Sequence, residues 1–417
     1  MKKLTTVLIG AGLRGKIYTD YALENPDELC VVGVAEPSET RRNAIAELHG
    51  IADENIFTSW EDVFKRERFA DVAIICTQDR EHFLPAMAAV DAGYDILLEK
   101  PISPNAEECS ALAKAAEEKG VKVVICHVLR YSPFFSTIKE IIDSGEIGDV
   151  VSVVHCENVG DVHHAHSFVR GNWRNSKESS PMILAKSCHD TDIIQWLIGK
   201  KCKKVSSFGS LKHFKKENCP EGAPLRCLDG CKHAAECPYD ARKVYLQDCA
   251  GKGEWFRNAV SGKINPTDEE LEAALRTGPY GRCVYQCDND VVDHQVVNME
   301  FEDGVTAMFS MCSFTLETYR TITVMGTKGQ IDGDMLRNTI SVSEFLSREQ
   351  RQVPLETVSG TDGHGGGDTR LMKAFCQYVG GTYQGNSITE VGISAHNHLI
   401  SMAAEESRVN GGKIVEL

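Results

Sequence analysis

The chain has 417 residues, 42% hydrophobic and 25% charged, the balance of a soluble globular enzyme built from two or three domains. Sixty acids against 45 lysines and arginines leave a formal charge of −15, a field that repels nucleic acid and anionic membrane, so neither is expected as a partner. No apolar stretch is long enough to cross a bilayer and Leu4–Ile9 is too short for a signal core, so a cytoplasmic protein is expected. In that compartment its 16 cysteines favour free thiols or a metal site over disulfides.

Residues 4–9 read as a buried strand ending in Gly10-Ala11-Gly12-Leu13-Arg14-Gly15, and Ile17, Tyr18 and Tyr21 mark the helix that follows. In that context the glycines have separate tasks: Gly10 for the tight turn, Gly12 for close approach of a pyrophosphate, Gly15 for packing of helix on strand. A second strand over 29–35 ends at Glu36, about 20 residues on, where a carboxylate accepts ribose hydroxyls and repels a 2′-phosphate. That favours NAD over NADP, although Arg41 and Arg42 lie close. Three more strands follow: 71–76 leads to Thr77 and then a helix with His82, 94–98 to Glu99-Lys100-Pro101, and 121–126 to His127. Strands alternating with helices predict an α/β, doubly wound parallel sheet, with ligands beyond its carboxyl ends, where Thr77, Lys100 and His127 fall. The residues expected to hold NAD are Gly10, Gly12, Leu13, Arg14, Gly15, Glu36, Thr77, His82, Glu99, Lys100 and His127.

From about residue 130 the pattern changes, which divides the chain into 1–129 and 130–417. Strand-like runs at 149–158, 203–210, 294–302, 305–312 and 320–326 predict an α+β unit with a large, mostly antiparallel open sheet. The outer face of such a sheet is a subunit interface, so a homodimer or homotetramer is expected. Lys186, His189 and Asp192 are spaced three apart on one side of a helix. A histidine there can take a proton from a secondary alcohol, Asp192 can orient it, and the Lys186 ammonium can stabilise a developing alkoxide. His163, His166, Arg170 and Trp173, with Arg282 later, suit a sugar pocket that needs many polar contacts and an aromatic face. An insert at about 212–280 carries Cys219, Cys227, Cys231 and Cys237 among prolines and glycines, with little apolar periodicity of its own. Four thiolates around a structural zinc would hold it together, and an iron–sulfur cluster would use the same ligands. Residues 251–280 read as a helical excursion, the glycine-rich stretch 364–368 as a flexible loop able to close over the pocket, and 393–406 as a packing helix.

The glycine turn, the acid after the second strand, Glu99-Lys100-Pro101 and a later histidine on a helix resemble the glucose–fructose oxidoreductase / inositol dehydrogenase / MocA family over essentially the whole chain. The resemblance implies that Lys100 lies beside the nicotinamide and the reacting hydroxyl, and it matches His189 and Asp192. It departs at Ala185, where the family has an aspartate four residues before the histidine. The implied activity is hydride transfer between a sugar or cyclitol hydroxyl and NAD. Two alternatives stand beside it: a glycosidase that recycles retained NAD through transient oxidation and elimination, and a non-enzymatic sugar and NAD sensor.

Overall fold

The computed structural model describes residues 2–358 and 363–417. Among these residues, six strands form the first sheet: β1 (Leu4–Ile9), β2 (Leu29–Ala35), β3 (Ile56–Phe57), β4 (Val72–Ile75), β5 (Asp95–Leu98) and β6 (Val123–Ile125). They lie in the order β3-β2-β1-β4-β5-β6, every pairing parallel. The reason is visible in β4, a run of four apolar residues all buried, as a strand covered on both faces requires. Strand order reverses between β1 and β4, so a crevice opens where their carboxyl ends diverge, beside Gly10 and Thr77.

The second sheet contains β7 (Val150–Asn158), β8 (Cys202–Ser210), β9 (His294–Phe301), β10 (Thr306–Cys312), β11 (Tyr319–Gly326), β12 (Gly329–Asp334), β13 (Thr339–Glu344), β14 (Gln350–Val353) and β15 (Val415–Glu416). Their order is β14-β13-β12-β11-β7-β10-β9-β8-β15, with β7 and β10 parallel and the other pairings antiparallel. Burial alternates along β9, so Val297, Met299 and Phe301 enter the core while Val296 stays 40% exposed on the outer face.

Helices α1 (Leu13–Glu24) and α2 (Ala106–Lys119) belong to the first sheet, and α3 (Cys188–Ile198) packs on the inner face of the second. The insert contributes α4 (Gly253–Ser261) and α5 (Asp268–Thr277), the latter started by a capping box between Thr267 and Glu270. Among the described residues two helices lie between β14 and β15 in sequence, α6 (Gly363–Val379) and α7 (Val391–Val409). They return to the first sheet: Leu371, Met372 and Phe375 of α6 share a core with Tyr18 and Tyr21 of α1. α7 spans both units, with Val391 and Ala395 in the first core and Ile400, Ala403 and Ala404 in the second. Among the described residues no helix is long and apolar enough to cross a membrane.

Candidate active site

The glycine turn has the shape its sequence requires. Gly10 adopts φ 89°, and a Cβ there would lie 2.6 Å from the carbonyl oxygen of Cys76. A Cβ on Gly15 would collide with the Gly10 carbonyl, whereas one on Gly12 would meet nothing within 4 Å. Gly12 caps α1, and the amides of a helix's first turn have no intrahelical acceptors, as an anion seat needs. Leu13 is 44% exposed at this rim. Glu36 is buried and accepts from the amides of Ala11 (2.8 Å) and Ser38 (2.9 Å) and from Arg41 (2.7 Å). It therefore stands against the turn that would hold a pyrophosphate. Those residues fit a dinucleotide.

Behind the turn, Arg14 donates to Glu99 at 2.7 Å and to Asp368 at 2.6 Å, and Tyr18 donates to Glu99 at 2.7 Å. The amide of Lys100 donates to the other Glu99 oxygen at 2.9 Å. Burial pushes the Glu99 carboxyl up, but Arg14 and Lys100 together hold it below the usual range. Arg14 and Glu99 thus brace the loop that presents Lys100, which enters a cis peptide bond to Pro101. Thr77 closes its own loop by donating to the Glu81 carbonyl at 2.8 Å.

The structure joins this edge to the second sheet. Lys100 Nζ donates 2.7 Å to the Ala185 carbonyl, across a separation of 85 residues. Ala185 is the position where the resembled family carries an aspartate, so the ammonium meets backbone here in place of a carboxylate. Burial, with Lys100, His364 and His127 adding to it, holds the His189 imidazole well below its ordinary pKa. The His189 ring lies 5.8 Å from His127 and 5.7 Å from His364. His364, Gly365 and Gly366 take φ values of 52°, 65° and 83°, which makes them a loop at the head of α6. His364 Nδ1 sits 3.1 Å from Asp368.

Lys186 is 14% exposed, 3.5 Å from Glu157. Glu157 and His155 point the same way from β7, two residues apart. Around them Arg320 of β11 donates to Glu157 and Asp190, each at 2.6 Å, His155 pairs with Asp190 at 2.7 Å, and Ser187 donates to Glu157 at 2.7 Å. Burial, then Arg320 and Lys100, lower the Lys186 pKa against the pull of Glu157. Glu157, Asp190 and Arg320 went unnoticed in the sequence. The signal that could have found them is a charged residue inside an apolar strand pattern, which demands a buried partner.

Several expected site residues are occupied elsewhere. Asp192 does not orient His189: Arg130 grips its carboxylate at 2.7 and 2.6 Å, Asn397 donates to it, and His189 Nδ1 is left without a partner. His82 is 1% exposed, its ring nitrogens 2.6 Å from the Pro101 carbonyl and 3.0 Å from that of Thr77, so it braces two loops. His127 is as deeply buried and pairs with Ser394 at 2.8 Å. Arg170 is fully buried and donates to the carbonyls of Arg282 (2.8 Å) and Tyr239 (2.7 Å). Arg282 pairs with Asp288 at 2.7 Å. His166 stacks on Phe256 at 3.8 Å and Tyr280 at 4.7 Å. Trp173 donates to Asp79 at 3.0 Å. His163 is half-buried, its Nδ1 3.5 Å from the Thr318 hydroxyl and its ring 5.0 Å, edge to face, from Trp255, and burial first, then the Lys186 charge, hold its imidazole well below the ordinary pKa.

The described residues give the expected thiolate centre no support, although Cys227, Cys231 and Cys237 line one cavity with Cys283. Among the described residues no group of three or more His, Cys, Asp or Glu side chains could hold a metal ion, and Cys219, Cys227, Cys231 and Cys237 are free. The insert has a core of its own: Ala241, Val244, Tyr245, Phe256, Val260, Leu271 and Leu275 pack together, with Cys227 among them as a small apolar side chain.

Comparison with known proteins agrees with this geometry. Residues 4–127 match a family model described as an oxidoreductase family with an NAD-binding Rossmann fold, and residues 139–403 match that family's C-terminal alpha/beta domain. A Bacillus subtilis (strain 168) protein provisionally named as an oxidoreductase, YteT, is 26% identical over 75% of this chain and 73% of its own length. Inositol 2-dehydrogenase 1 of Saccharopolyspora erythraea is 26% identical over 48% of this chain and 56% of its own length, so that alignment spans about half of the relative. Among solved structures, a levoglucosan dehydrogenase in complex with NADH and levoglucosan has a TM-score of 0.71 at 20% identity, over 99% of both chains. An oxidoreductase domain protein from Kribbella flavida has a TM-score of 0.72 at 16% identity, over 100% of this chain and 99% of that one. At such identities these two structures speak for the fold alone.

Proposed function

The chain belongs to the oxidoreductase family with an NAD-binding Rossmann fold, and from that premise we propose that it oxidises a secondary hydroxyl of a sugar or cyclitol, reversibly, with NAD as acceptor. One observation carries the reading: the Lys100 ammonium leaves the carboxyl edge of the first sheet and reaches the backbone at Ala185, on the segment that leads into His189. Gly10, Gly12 and Gly15 with the start of α1 would hold the pyrophosphate, and Glu36 the adenosine ribose, which favours NAD over NADP. When bound, NAD supplies a hydride acceptor for the alcohol carbon.

The chain's own residues handle the proton and the charge. As the C–H bond breaks and the carbonyl forms, the hydroxyl proton passes to His189. Its depressed pKa keeps the imidazole neutral and able to accept near neutral pH. Lys100 stabilises the negative charge that builds on the oxygen, and Lys186 adds a second donor to the same region. The outer face of the second sheet exposes Val151, Phe208, Val296 and Met308, a surface that favours a homo-oligomer.

The test is absorbance at the NADH band with purified protein, NAD and a panel of sugars, cyclitols and glycosides. At least one compound should yield NADH, and Lys100→Ala should lose about a hundredfold or more of that rate while still binding NAD. Full turnover by Lys100→Ala refutes the assignment. Glycoside cleavage without net NADH would instead favour the recycled-cofactor mechanism.

A further inference from the structure

Trp255 and Phe256 are neighbours on α4 with opposite environments. Phe256 is 1% exposed and stacks on His166, on which Tyr280 also stacks. His166 Nδ1 lies 3.1 Å from the hydroxyl of Tyr245, a residue of the insert core. These contacts fix α4 on the segment that follows β7. Trp255 remains 37% exposed, its ring centroid 4.9 Å from that of Phe256 and 5.0 Å, edge to face, from that of His163. His163 sits on the turn of helix that follows the carboxyl end of β7, the end that carries Glu157, 3.5 Å from Lys186, and Lys186 follows Ala185, whose carbonyl takes the Lys100 ammonium at 2.7 Å. A partly exposed indole therefore stands at the border of the proposed active site, on a segment inserted between β8 and β9. The expected aromatic platform, Trp173, is held by Asp79.

We propose that Trp255 is a specificity-determining residue and that α4 forms a second sugar subsite. There the indole stacks on the C–H face of a sugar joined by a glycosidic bond to the ring being oxidised. The inference rests on the reading above for the first ring. A pyranose presents an apolar face of C–H groups, and a large aromatic ring with its negative π face is suited to cover it. Because Phe256, and not Trp255, anchors the helix, the indole can be altered without removing the contacts that hold the insert.

The experiment is isothermal titration of the full chain, loaded with NADH, using cellobiose, maltose and lactose alongside glucose and galactose. Wild type, Trp255→Ala and Trp255→Phe are compared. At least one disaccharide should bind more tightly than its component monosaccharides. Trp255→Ala should weaken that binding about ten- to a hundredfold, while monosaccharide binding changes less than about twofold and Trp255→Phe keeps most of the affinity. Disaccharides that bind wild type no better than monosaccharides overturn the proposal, as does an alanine variant that weakens both classes alike. A failure of the oxidoreductase reading shows separately, as disaccharide binding that depends on Trp255 with no NADH formed when NAD replaces NADH.

Discussion

Glu157→Gln keeps the shape of a buried side chain and removes one charge from a set of four. Glu157 is 0% exposed and lies 3.5 Å from Lys186 Nζ, and the same carboxylate oxygen accepts from Arg320 at 2.6 Å. At an effective dielectric of about 20, unit charges at the Lys186 separation attract by roughly 5 kcal/mol. Removing one member of a buried pair typically costs about 3–5 kcal/mol. The free energy of unfolding should therefore fall by about 3–5 kcal/mol at pH 7. The loss also carries a pH signature. Burial, with Arg320 and Lys100, holds the Lys186 pKa below that of an unfolded lysine, against the pull of Glu157. A group with a depressed folded pKa leaves the native state most stable above the unfolded value of about 10.4, and that stability is lost as pH falls toward the folded value. The variant lowers the folded value further. Its deficit should then shrink as pH rises from 7 to about 10, leaving only the share due to the lost Arg320 bond. Urea unfolding followed across that range measures both quantities. A deficit below about 1 kcal/mol at pH 7, the scale of a surface pair, or one independent of pH would show that Glu157 does not sustain the Lys186 charge.

Because burial and the neighbouring Lys100 depress the His189 pKa, the acidic limb of kcat/KM should fall below about pH 6.5, the ordinary histidine value, and His189→Ala should abolish that limb; a limb at or above that pH would contradict the proton assignment. Asp192→Ala strips both bonds from Arg130, which is 2% exposed, and should cost about 3–5 kcal/mol in chemical denaturation. An Asp192→Ala protein of unchanged stability that had lost activity alone would restore a catalytic role to that carboxylate. Gly10→Ala places a Cβ 2.6 Å from the Cys76 carbonyl at φ 89°, so the protein should lose the thermal shift given by NAD; an undiminished shift would mean that the turn tolerates the methyl group.

The parallel sheet was legible because its strands are covered on both faces and so read as apolar runs such as that of β4, each followed by a helical period. The glycine turn was legible because no other residue fits φ 89° against a neighbouring strand. β12, β13 and β14 escaped notice: their Gln, Asp and Ser residues alternate with few apolar ones, in short segments that only pairing along the sheet edge makes into strands. The insert's own core was hidden for a related reason, since Tyr245, Phe256 and Leu271 come together only after the insert has folded on itself.

Chain order alone determined the cofactor seat, because a strand, a glycine turn and a helix are local and their backbone demands are met within a few residues. Which polar side chains face a ligand was decided only in three dimensions. Asp192, Arg170 and His166 carry the same chemistry as ligand-binding residues, yet each finds a protein partner far off in sequence: Asp192 in Arg130 and Asn397, 62 and 205 residues away, Arg170 in the carbonyls of Arg282 and Tyr239, and His166 in the Tyr245 hydroxyl. A buried polar group must find a partner, and nothing in its own neighbourhood in sequence says whether that partner is protein or substrate.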